Sequence, residues 1–144
     1  MNTSEAVLDF RVRPEPHRSR GARDAIVDFA RSNGVGEDDL AYFATAVGEA
    51  LANAVEHARA EVPIAVEVRV APDRILALVQ DNGVGFESGL VAEPALPEPD
   101  AERGRGLPIM RRCCHIFAVN SSPGKGTAVV LGRYLRDDQT SAAA

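Results

Sequence analysis

Two strand patterns stand back to back between Ile64 and Gln80, and they limit the fold more than any other stretch. Ile64, Val66, Val68 and Val70 alternate with Glu67 and Arg69, the period-two pattern of a half-buried strand. Pro72-Asp73 closes it, and Arg74 to Gln80 follows at once, apolar enough to predict a central strand. The next residues break the pattern. Val79-Gln80-Asp81-Asn82-Gly83-Val84-Gly85-Phe86 carries an Asn-Gly pair, a strong hairpin sign because both residues tolerate positive φ. No second strand follows. The segment from Glu87 to Arg103 carries Pro94, Pro97 and Pro99 among acids, without periodicity. Connections of that length are uncommon unless functional or disordered.

Helical and strand periods alternate through the rest of the chain. Leu8, Phe10 and Val12 alternate with Asp9 and Arg11, predicting a first strand that Pro14 and Pro16 end. From Arg18 to Ser32, Ala22, Ile26, Phe29 and Ala30 share one helical stripe, stopped by Asn33-Gly34. A longer helix is expected over about 38–58, with Leu40, Phe43, Ala44, Val47, Leu51 and Val55 at helical spacing. A short helix follows Gly106. A strand over Ile116 to Asn120, a turn over Ser121 to Gly126 and a strand over Thr127 to Leu135 complete the prediction. The result is roughly five strands and three helices, an α+β sandwich with helices on one face of a mixed sheet. Residues 1–136 read as a single domain and 137–144 as a frayed tail.

Charge and cysteine usage remove several functions. The 144 residues carry a formal net charge of −5, which argues against general capture of nucleic acid or anionic membranes. No apolar run approaches the roughly 20 residues that span a bilayer, and the N-terminus has no signal-peptide core. Cys113 and Cys114 are adjacent, so a disulfide between them would be strained. They read as reduced residues of a cytoplasmic protein. His17, His57 and His115 share no spacing that would hold zinc.

Two familiar glycine motifs fail. Gly83-Val84-Gly85 could open a dinucleotide fingerprint, but that needs a helix directly afterwards. Ser122-Pro123-Gly124-Lys125-Gly126-Thr127 resembles a phosphate loop, yet Val119 stands where its first glycine belongs and Gly126 follows Lys125. A third pattern is more telling. Glu49, Asn53 and His57 are spaced four apart, so they form one ridge on the second helix, bordered by small Ala46 and Ala50, which would leave room for a ligand. On spacing alone that ridge could equally be a solvated polar face.

Four segments occur in order: Glu49-x-x-x-Asn53, Asp81-Asn82-Gly83-Val84-Gly85, Gly104-Arg105-Gly106-Leu107 and Gly124-Lys125-Gly126-Thr127. Together they resemble the GHKL superfamily of ATP-binding domains, shared by DNA gyrase, the heat-shock chaperone ATPase, histidine kinases and the MutL repair proteins. GEALANAVEHA, DNGVGF and RGRGLPIM are most similar to the small bacterial anti-sigma factor serine/threonine kinases. The resemblance implies a two-layer α/β sandwich of the Bergerat, histidine-kinase-like ATPase type, with a mixed, mostly antiparallel sheet. It implies ATP and Mg²⁺ as ligands. Its partners would be a sigma factor and an anti-sigma factor antagonist whose Ser or Thr is phosphorylated, and a homodimer is allowed. A non-catalytic module in which ATP only controls partner binding remains the alternative.

Residue roles carry over from that resemblance. Asn53 would hold Mg²⁺ and contact the nucleotide, since one amide oxygen can suffice for an ion that keeps several waters. Glu49 would be the catalytic base. Asp81 would accept a hydrogen bond from adenine's exocyclic amino group, with Thr127 beside it. Gly83 and Gly85 would let the backbone approach the nucleotide. Arg103, Gly104, Arg105, Gly106 and Leu107 would face the phosphates, at a helix N-terminus that favours anions. The segment from Glu87 to Arg103 would be a lid, His57 would serve structural packing or hydrogen bonding rather than catalysis, and Lys125 would be a turn residue.

Overall fold

The computed structural model describes residues 5–59, 61–83, 89–91 and 106–135. The elements run β1 (Ala6–Val12), α1 (Pro16–Ser32), α2 (Glu37–His57), β2 (Ile64–Ala71), β3 (Arg74–Asp81), β4 (Gly89–Val91), α3 (Gly106–Cys113), β5 (Ile116–Ser122) and β6 (Gly126–Tyr134). The strands form one sheet in the order β1-β2-β3-β6-β5-β4, and each of its five pairings is antiparallel. The pairing is thus more uniform than the mixed, mostly antiparallel sheet expected. β3 is central, as its apolar run predicted, with β2 and β6 on either side.

Local chemistry explains the boundaries. Pro16 occupies the first turn of α1, where its missing N–H costs nothing. Gly34, at φ +90, ends the helix: its N–H donates to the Arg31 carbonyl and that of Val35 to the Ala30 carbonyl. This is the Schellman closure, and Val35 is buried behind it. In β2, Ile64, Val66, Val68 and Val70 are buried, and Glu67 and Arg69 point the other way.

All three helices pack on one face of the sheet, α1 against β1, α2 against β3 and β6, and α3 against β5. Phe43, Val47 and Leu51 of α2 meet Ile26 of α1 and the inward residues of β2, β3 and β6 in one core. Burying each such side chain stabilises the fold by about 1.5–3 kcal/mol. No helix among the described residues is long and apolar enough to cross a membrane.

Two boundaries differ in ways that matter. The expected turn over Ser121 to Gly126 shrinks to 123–125, and Ser121 and Ser122 belong to β5. Within the expected loop after Glu87, Gly89–Val91 pairs antiparallel with Ser121 to Val119 as an edge strand. Its short length suits an edge.

Candidate functional site

Asp81 ends β3 on the side of the sheet that the helices cover. Its cross-strand partner on β6 is Thr127, and Asp81 is only 4% exposed. Its Oδ1 accepts the Gly83 N–H at 2.8 Å, an Asx turn. Burial pushes the Asp81 carboxyl above its usual 3.8, opposed by hydrogen bonds from the backbone N–H groups of Gly83 and Thr127 and by nearby His57. Gly126, at φ +82, makes the approach of β6 feasible, because a Cβ there would overlap the Asp81 carbonyl.

Gly83 reaches α2 as well. A Cβ on it would overlap the carbonyl of His57, the last residue of that helix. The closeness this glycine visibly permits is thus between strand and helix. The end of β3 and the end of α2 are brought together by it. His57 turns its Nδ1–H back onto the Asn53 carbonyl at 2.9 Å, the structural hydrogen bond its position suggested. Glu49, Asn53 and His57 are each half-buried, on the border of the core. Glu49 lies eight residues before His57, about 12 Å along the helix axis.

The alanines beside this ridge behave differently from expectation. Ala46, Ala50 and Ala54 are buried at 0%, 1% and 2% exposure and belong to the core. They are small residues of the core on a helix that also packs against α3. Burial pushes the thiol of Cys113, in the last turn of α3, above its usual value, opposed by Arg133 and Arg112 and aided by a smaller effect of Glu49. Burial also holds the Cys114 thiol protonated, with a pKa of about 11. Both cysteines remain free thiols, and neither is activated as a nucleophile.

Gly106 opens α3 and Leu107 is half-buried behind it. Gly85, Arg103, Gly104 and Arg105 lie outside the described residues, as does the expected lid apart from Gly89–Val91 and the expected tail. Lys125 is an exposed turn residue. A groove of about 360 Å³ between α1 and α2, floored by Leu51 and Val55, opens a third of a turn round α2 from the Glu49 ridge and takes no part in the site. Three buried polar residues were not anticipated: Ser121 of β5, opposite Thr127 of β6, and Arg133 of β6, which pairs with Asp39 of α2.

Residues 12–132 match the family described as the histidine kinase-like ATPase domain. An anti-sigma F factor of Clostridium perfringens is 33% identical over 101 residues, 65% of this chain and 71% of that protein. One from Oceanobacillus iheyensis is 30% identical over 125 residues, 83% of this chain and 86% of its own. Among solved structures, the RsbU and RsbW domains of a Mycobacterium tuberculosis protein superpose with a TM-score of 0.67 at 22% identity. The match covers 91% of this chain and 33% of that one, and at this identity it speaks for the fold alone.

Proposed function

The chain belongs to the histidine kinase-like ATPase domain family, and from that premise we propose that it is an ATP-binding anti-sigma factor with protein serine/threonine kinase activity. It sequesters a sigma factor and phosphorylates a Ser or Thr of an anti-sigma factor antagonist, in the cytoplasm, as a monomer or homodimer. The anti-sigma F factors among its relatives support this choice of partners.

Asp81 is the observation that carries the reading. A carboxylate that is 4% exposed and destabilised by burial stands in a sheet whose next residues inward are valines, and it accepts from the backbone N–H groups of Gly83 and Thr127. Such perturbed groups concentrate where a ligand is recognised. In this reading Asp81 accepts the amino group of adenine and Thr127 assists. The phosphates run along α2 toward Glu49 and are cradled by Gly104, Arg105, Gly106 and Leu107, with Arg103 neutralising charge and Gly83 and Gly85 carrying the backbone past the nucleotide. The donor chemistry suits Mg²⁺, since Asn53 offers a hard amide oxygen. When bound, Mg²⁺ would neutralise charge on the phosphates. The partner's hydroxyl oxygen forms the bond to the γ-phosphorus, the bond to ADP breaks, and Glu49 takes the hydroxyl proton.

The test incubates the purified chain with γ-labelled ATP and the antagonist from the same cell. Label on the antagonist is expected, and Glu49→Gln should abolish it while retaining ATP affinity. ATP binding without any labelled protein would leave the non-catalytic partner-binding module as the answer. Transfer unchanged by Glu49→Gln would remove that residue from its role.

A further inference from the structure

Tyr42 stands on the same ridge of α2 as Glu49 and Asn53. The three fall within about 40° of one another round the helix, with Tyr42 about 10 Å before Glu49 along its axis. Tyr42 is 53% exposed, yet it is not a loose surface side chain. The guanidinium of Arg133 lies against one face of its ring, and Arg133 is itself buried and held by Asp39 and the Cys113 carbonyl. That contact fixes the ring from beneath and leaves the rest of it to solvent.

Beside this ridge lies α3, which packs on α2. Cys113 belongs to the side of α3 that meets α2, since its carbonyl shares Arg133 with Asp39 and its thiol feels the charge of Glu49. Ile109, one turn before Cys113, is 36% exposed and therefore borders the seam from the α3 side. Between Tyr42 and Glu49 the surface stays low. Ala46 is buried, and the Thr45 hydroxyl is turned back onto the Ala41 carbonyl at 3.0 Å.

Scattered exposed apolar residues are ordinary on a protein surface. These two differ because they flank the residue that the proposed function makes the base. A hydroxyl that gives its proton to Glu49 must come within about 3 Å of it. A folded protein carrying that hydroxyl must then rest on whatever surrounds Glu49. We propose that Tyr42 and Ile109 form the docking surface for the phosphoacceptor protein. The occupant presents apolar side chains beside its Ser or Thr, and Tyr42 is the anchor, because a rigid aromatic ring gives large contact area at little cost in entropy. The inference rests on the reading of Glu49 as the base of a protein kinase.

The test follows label transfer from γ-labelled ATP to the antagonist from the same cell over a range of antagonist concentrations, with ATP affinity measured in parallel. Tyr42→Ala is expected to raise KM for the antagonist about tenfold, the worth of one hot-spot contact, with kcat and ATP affinity within about twofold of wild type. Tyr42→Phe keeps the ring on Arg133 and should keep KM within about twofold. Ile109→Ala should raise KM about threefold at an unchanged thermal midpoint, since Ile109 takes no part in the Arg133 contacts. Val7→Ala shortens an exposed apolar side chain of β1 and should change none of these values. An unchanged KM in Tyr42→Ala, or a rise matched by an equal loss of ATP affinity, would overturn the docking surface alone. Absence of transfer by the wild-type chain would overturn the kinase reading and the docking proposal together.

Discussion

Arg133 of β6 is bound to Asp39 in the first turn of α2, its Nε and Nη2 each 2.9 Å from the same carboxylate oxygen. Its Nη1 donates to the Cys113 carbonyl at 2.7 Å, and its guanidinium lies 4.7 Å over the ring of Tyr42. One arginine thereby ties the sheet to the start of α2 and the end of α3. Both partners of the ion pair are buried. Removing one charge takes the buried ion-pair partner from the other, which costs up to about 3–5 kcal/mol, whereas neutralising both costs far less. Arg133→Met should lower unfolding free energy in urea by an amount in that range. Adding Asp39→Asn should recover part of it, and a second substitution that only lowered stability further would refute the pairing argument.

Gly83 gives a second prediction. A Cβ there meets the His57 carbonyl, which is backbone and cannot rotate aside. Gly83→Ala should therefore destabilise the protein by about 1–3 kcal/mol, as overpacking does. The loss should appear in thermal unfolding without any nucleotide. An Ala variant with wild-type stability and weakened ATP binding would mean that the ligand, and not α2, sets the need for glycine.

Those two residues mark how far local pattern could reach. The strands of β2 and β3, the core stripe of α2 and the stop at Asn33-Gly34 depend on periodicity and turn chemistry within a few residues, and they were legible. Asp81 with its two following glycines also stood out, because a hairpin signal without a hairpin needs another explanation. The Asp39–Arg133 pair joins positions 94 apart, and Asp39 sits in an acidic first turn that reads as ordinary helix-dipole complement. Ser121 was hidden by its neighbours, since Ser-Ser-Pro-Gly reads as a turn and only the register with Thr127 makes it strand. Ala46 and Ala50 looked like space because nothing local announces that α3 packs against their helix. Gly89–Val91 becomes a strand only through β5, in a segment whose own composition argues against one.

The raised pKa of Asp81 fixes the sign of a pH effect. A carboxyl more easily protonated in the folded chain than in the unfolded one favours folding below the unfolded value, near 3.8. That contribution is lost as pH rises through the folded pKa, where the buried group ionises. Asp81→Asn lacks this loss. The stability of the variant relative to wild type should therefore increase as pH rises from about 3.8 through the folded pKa, followed by urea unfolding across that range. ATP affinity should fall in the same variant, since the amide places an N–H where an acceptor is needed. A stability difference that stayed flat with pH would show that burial does not perturb Asp81.

Asn53 allows function to be separated from stability more sharply. It sits inside α2, where asparagine is a poorer helix former than alanine by up to about 0.7 kcal/mol. Its backbone carbonyl already serves His57, a contact that substitution of the side chain leaves in place. Asn53→Ala should therefore leave the thermal midpoint unchanged or slightly raised. If the side-chain oxygen holds Mg²⁺ against the phosphates, the variant should lose affinity for ATP only when the metal is present. ATP titrations in Mg²⁺ and in excess chelator measure the coupling between the two ligands, which must be reciprocal. In the wild type Mg²⁺ should tighten ATP binding, and in Asn53→Ala that tightening should shrink by about tenfold, or roughly 1.4 kcal/mol. Equal weakening with and without metal would place Asn53 on the nucleotide and move the metal site elsewhere.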